Sequence, residues 1–176
     1  MSKSEDEGLY GAADNETLLK GLKHQASRFS MFDIIKIRAY MIDNVKHLPE
    51  KYQKTYSVDL FEYLYRTLHE IKDAEISDSK VSLDRDKLKE TNACIDKLAA
   101  NAKHDEVMFT NFLRTVALYL IFIGNKPIHP RGMQFPGGLK IIFRDNGYYC
   151  PAKEKQSEIE MALCKFCICK DLNEIE

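Results

Sequence analysis

Residues 125–170 read NKPIHPRGMQFPGGLKIIFRDNGYYCPAKEKQSEIEMALCKFCICK, and their reading decides the fold. The stretch holds four of the chain's five cysteines and four of its five prolines, with His129 set between Ile128 and Pro130. Cys150, Cys164 and Cys167 are spaced C-x13-C-x2-C, with Cys169 two residues further on. A C-x2-C pair places two thiolates on one side of a tetrahedral ion, and a distant third ligand closes the loop. The fourth ligand is then His129 or Cys169. If this end of the chain is helical, residues 164 and 167 share a face while 169 turns away. The expected ligand set is therefore Cys150, Cys164, Cys167 and His129, around zinc.

Two other chemistries compete. An iron–sulfur cluster is the alternative cofactor, because Cys150-Pro151 with a CxxC resembles the cysteine runs of ferredoxins, although the spacing differs. A redox dithiol ranks below it, since no βαβ pattern surrounds the CxxC. Against all of these stands the plainer possibility that cysteines are small core hydrophobes. Four in twenty residues argue against that for the cluster. Cys94, alone on a helical stripe, reads as a core residue.

Outward from the cysteines, PIHPRGMQFPGG (residues 127–138) alternates rigid prolines with permissive glycines. It either positions His129 and Arg131, with Gly137 and Gly138 offering free amides to an anion, or connects the elements on either side. LKIIFR, DNG and GYYC predict a β-hairpin with Asn146-Gly147 in the tight turn. Residues 157–170 predict a last helix carrying CKFCIC.

The chain upstream is helical in pattern. Asp14 or Asn15 caps a helix that aligns Leu18, Leu19, Leu22 and Ala26. Ser30 caps a second, with a stripe of Ile34, Ile35, Met41, Ile42, Val45 and Leu48 that Pro49 stops. A third spans residues 50–72 through Tyr52, Tyr56, Leu60, Phe61, Leu64, Leu68 and Ile71. Residues 77–82 are a polar connection. A fourth helix starts near Asp84 and a fifth at Asp105, ending at Gly124; the fifth is the most apolar and is expected at the centre. Arg38 and Arg114 interrupt these stripes. They either point into an anion-binding cleft or, the favoured reading, snorkel or pair with a neighbouring carboxylate. His24, His47, His69 and His104 lie among charges and are expected in solvent.

Composition sets outer limits. The 176 residues are 44% hydrophobic and 30% charged, with net charge −1, which is ordinary for one globular domain. A net charge near zero disfavours nucleic acid, although residues 126–170 carry eight Lys/Arg against four Asp/Glu. Residues 1–13 are polar and acidic, are expected to be a disordered tail, and show no secretory signal. The longest apolar run, residues 116–123, is eight residues, far short of the ~20 a membrane span needs. No membrane role is expected, and the location expected is cytoplasmic, where thiols stay reduced. There is no GxSxG, HExxH or nucleotide-binding glycine motif.

The residues IHPRG-x3-PGGLKI, GYYCPAKEKQ and ALCKFCICK resemble a family of uncharacterised proteins from methanogenic archaea, known only as a domain of unknown function. The resemblance is specific over residues 127–170 and looser over the helices. His129, Cys150, Cys164 and Cys167 match the family pattern; Cys169 and Arg131 depart from it. The resemblance implies an anaerobic cytoplasm and no particular activity.

The reading at this point is a mainly α single domain over residues 14–176. A bundle of about five helices carries a C-terminal β-hairpin and helix closed around a Cys-rich metal site at residues 125–170. Its expected role is a binding or adaptor module for a protein or a small anionic ligand, with a redox protein or an open-site zinc enzyme as the alternative.

Overall fold

A computed structural model describes residues 7–76, 82–103 and 106–175. The five helical spans read from the sequence are present, and each starts or stops where local chemistry demands. Helix α2 (Asn15–Arg28) is capped by Asp14, whose carboxylate accepts from the Thr17 amide at 2.8 Å. Ser30 and Asp33 form a capping box at the start of α3 (Met31–Asn44), which satisfies two otherwise orphaned donors. Helix α4 (Glu50–Lys54) runs through a wide turn, Thr55–Asp59, into α5 (Leu60–Asp73). Helix α6 (Arg85–Asn101) is capped by Asp84. Helix α7 (Glu106–Leu118) continues through a second wide turn, Tyr119–Ile123, which closes with the Gly124 amide on the Tyr119 carbonyl at 2.7 Å. Position 105 and all of the 77–82 connection except Ser82 lie outside the described residues, as does His104.

Helix α7 packs against α2, α3, α5 and α6. Phe112, Val116, Leu118 and Leu120 are wholly buried there, beside Leu18, Leu22, Leu68 and Ile71. Each such side chain contributes about 1.5–3 kcal/mol by leaving water. The run Glu106–Ile123 has the length and apolarity of a membrane span, but it is wrapped by the other helices, as a core helix is.

Two features of the bundle correct the sequence reading. The stripe expected on α3 is split: Ile34, Ile37 and Met41 are buried, whereas Ile35 and Ile42 are 57% and 40% exposed. The helix is apolar over more of its girth than one neighbour covers. Residues 1–13 are not wholly a tail, because Glu7–Tyr10 form helix α1. Leu9 and Ala12 are buried, and the Leu9 carbonyl accepts from the Asn92 amide at 3.2 Å. One apolar residue finding a slot between helices overrides the polar composition around it.

The C-terminal segment builds a three-stranded sheet. β1 (Ile142–Arg144) and β2 (Gly147–Cys150) pair antiparallel, and β3 (Lys170–Asp171) joins β2 in parallel. The expected hairpin is there, but its turn is one residue earlier. Arg144 pairs with Gly147, so Asp145 and Asn146 take the positive φ values, 47° and 59°. A two-residue turn of this hand needs both central residues left-handed, and Asp and Asn tolerate that. The expected helix over 157–170 is not formed. A short α8 (Lys153–Ser157) is followed by tight turns and a single 3-10 turn, Leu163–Lys165. Carbonyls that a helix would use internally are taken instead by the Lys153 ammonium, and residues 170–171 add to the sheet.

Candidate metal centre

Three elements bring the chemistry-bearing residues together. The loop after α7 is tied to the bundle by Tyr63, whose hydroxyl donates to the Pro127 carbonyl at 2.6 Å, and by Lys126 paired with Glu70 at 2.6 Å. That anchorage buries Ile128 and sets His129 edge-on to Phe135, with ring centroids 5.6 Å apart. The loop then folds on itself: the Gly132 amide donates to the Ile141 carbonyl at 2.9 Å, and Phe135 to Leu139 at 2.9 Å. Strand β2 ends on Cys150, and β3 beside it delivers Cys169. The 3-10 turn presents Cys164, and the Cys167 amide closes on the Cys164 carbonyl at 3.2 Å.

His129, Cys150, Cys164, Cys167 and Cys169 consequently line one cavity of about 10 Å³, with Ile128, Ile141 and Lys153. That is room for about one water-sized sphere. As the side chains stand, no group of three or more His, Cys, Asp or Glu among the described residues has its donors converged on a metal position. All four residues expected as ligands are brought to the cavity. Cys169, which the helical reading turned away, lines it too, because that helix is absent.

The cysteines differ in their electrostatics. The Cys167 sulfur accepts from the Cys169 thiol and from the backbone amides of Cys169 and Ile128, which pulls its pKa down to about 6 against the burial that opposes it. Cys169 is pushed up as the donor in that pair. Burial, with the neighbouring thiols, raises Cys164 to about 11. Burial also raises Cys150, although the Ala152 amide donates to its sulfur. The His129 imidazole, partly exposed at its rim, is desolvated by its surroundings and pushed down to about 4, so it is neutral near pH 7. Neutral imidazole and thiolate are the forms that ligate metals; His129 and Cys167 are held toward those forms, whereas Cys150 and Cys164 are held toward the protonated thiol.

Lys153 is the residue that the sequence reading missed. Its ammonium donates to the carbonyls of Cys164 and Cys167 at 2.5 and 2.9 Å, which holds the Cys-x2-Cys turn in shape and sets a positive charge beside the thiols. A lysine three positions after Cys150 carries no signal by itself.

Other expectations resolve away from the cavity. Arg114 is an internal ion pair: it donates to Asp96 at 2.6 Å and to the Asn92 side chain at 2.9 Å. Arg38 lies over the Phe61 ring at 5.9 Å. The Gly138 amide donates to the Phe135 carbonyl at 3.0 Å and is not free for an anion. Cys94 is a core residue, its thiol toward the Glu160 carbonyl at 3.7 Å. His24, His47 and His69 are exposed.

The sequence profile of an uncharacterised protein family conserved in archaea, DUF2115, matches residues 14–172. A UPF0305 protein from Methanocaldococcus jannaschii is 38% identical over 162 residues, covering 90% of this chain and 97% of that one. Another, from Methanococcus maripaludis strain C7, is 35% identical over 165 residues, with 92% and 99% covered. A third, from Methanothermobacter thermautotrophicus, is 32% identical over 153 residues, with 86% and 92% covered. No solved structure matches the chain. The chain belongs to this archaeal family, whose function is uncharacterised.

Proposed function

We propose that this family member is a zinc-binding helical module of the anaerobic cytoplasm, in which Cys150, Cys164, Cys167 and His129 hold a structural ion. The observation that carries the reading is the shared cavity of about 10 Å³ where loop, sheet and turn meet. Binding requires side-chain rotations that bring the three sulfurs and the imidazole inward. Cys169 stays protonated and donates to the Cys167 sulfur, which favours His129 as the fourth ligand. The ion would fasten a segment whose own apolar content is small, so ligation energy becomes folding energy there. An iron–sulfur cluster is the less favoured chemistry, because the space suits one ion and not several atoms. The module's partner, on this reading, is another protein or a small anion.

A second reading rests on a separate observation. A cleft of about 440 Å³ between Tyr56, Phe135, Leu139 and Lys155 also reaches His129, Cys150 and Cys164. An ion with an open position there would meet a substrate, as catalytic zinc does.

Elemental analysis of protein purified without oxygen is expected to give about one zinc per chain in a colourless sample. Cys164→Ser is expected to lose the metal and to make residues 125–170 protease-sensitive while the helices stay folded. Cys169→Ala should keep the metal, and His129→Ala should weaken its retention. Free titration of every thiol in metal-free native protein would sink both readings. Cobalt substitution separates them: a spectrum that shifts on adding azide indicates an open position, and an unmoved tetrahedral spectrum indicates a closed one.

A further inference from the structure

The apolar face that α3 leaves outside the core is built as a seam. Phe32, Ile35, Ala39 and Ile42 follow one another at spacings of three, four and three, the a/d rhythm of a two-helix interface. Phe32 is 78% exposed and Met31 beside it 65%, and Ile35 and Ile42 are exposed as well. A soluble surface rarely leaves large apolar side chains aligned this way without covering them. The helix is already folded and held by its buried Ile34, Ile37 and Met41. Association therefore does not have to meet the cost of forming it.

We propose that α3 pairs antiparallel with α3 of a second copy of this chain, about a two-fold axis at Ala39. The small Ala39 side chain lets the two backbones approach there. In that arrangement Ile35 packs on Ile42 of the second copy, and Ile42 on its Ile35. Self-complementary charge selects this occupant. Lys36 and Asp43 lie on one flank of the seam, seven residues apart. In an antiparallel pair the same flanks face each other, so each Lys36 meets the other copy's Asp43 and two ion pairs form at once. Asp43 now pairs with its neighbour Lys46, at 2.7 Å with both side chains largely in solvent. Such an exposed pair is weak and gives way readily. On the other flank Arg38 is drawn over Phe61, which removes both its repulsion from the second Arg38 and the contact with Asp43 that a parallel pair would use.

The test is sedimentation equilibrium of the full chain from about 1 to about 500 µM. The mass is expected to rise from 20.4 kDa toward twice that value. Ile35→Glu, at an exposed position, should leave the helical circular dichroism and melting unchanged and weaken dimerisation tenfold or more (about 1.4 kcal/mol per tenfold). Lys36→Asp should weaken it at low salt, and Lys36→Asp with Asp43→Lys should restore it. A chain that stays monomeric throughout overturns the proposal, whatever other protein it captures. A dimer indifferent to Ile35→Glu places the contact elsewhere. A dimer weakened by Ile35→Glu but not by Lys36→Asp overturns the antiparallel arrangement.

Discussion

The bundle and the C-terminal segment are two solutions to being ordered. Around α7 the bundle buries Phe112, Leu118, Leu22, Ile71 and other large side chains completely. Its elements are 13 to 17 residues long, apart from α1 and α4. The segment has strands of 3, 4 and 2 residues, and its satellite core is Met133, Phe135, Ile141 and two cysteines. Where the bundle relies on apolar area, the segment relies on placed hydrogen bonds, an ammonium on carbonyls and a small ring of cysteines and a histidine around one cavity. Apolar burial is indifferent to pH and chelators. The segment's desolvated imidazole and thiols are titratable, so its order is open to pH.

The contrast can be broken from either side. Phe112→Ala removes a wholly buried ring from the centre of the bundle, and a loss of about 3–5 kcal/mol is expected in chemical denaturation. The segment should unfold in the same transition, because Ile128, Leu163 and Phe166 pack on α6 and α7; a segment that survived would have a core of its own. Acid acts from the opposite side. In the metal-free protein, burial pushes His129 down to about 4 from an ordinary value of 6.5, so between those values the unfolded chain binds a proton that the folded chain refuses. The stabilisation is complete above pH 6.5 and is lost as pH falls toward 4, by up to about 3 kcal/mol. Melting curves of metal-free wild type and metal-free His129→Asn should therefore differ most in their slope across this window. Parallel slopes would show that the imidazole is not desolvated. The smallest effect is expected at the seam between the two regions. Tyr63→Phe leaves the buried Pro127 carbonyl without its donor, at about 1 kcal/mol. Proteolysis of residues 125–170 should rise while the bundle's amides exchange as before.

Legibility followed the same division. Helix starts at Asp14, Ser30 and Asp84 were readable because a cap is a local contract between a side chain and an amide two or three residues on. The stripe of α5 was readable because one face is buried along its whole length. On α3 the same periodicity misled, because a helix that is apolar around much of its girth does not say which side its neighbours will cover. The expected C-terminal helix failed for a related reason. Residues 157–170 have acceptable helical pattern, but the Lys153 ammonium and the edge of β2, brought there by the fold, provide better partners for that backbone.

By itself the sequence determined the helical spans of the bundle, the hairpin and the central place of α7, since each follows from spacing or side-chain volume within a few residues. Tertiary structure alone decided that Cys169 joins Cys150, Cys164, Cys167 and His129 at one cavity, that Arg114 answers Asp96, and that Ile35 and Ile42 face outward. Those outcomes depend on which surfaces meet across dozens of residues, and periodicity along a chain holds no record of that.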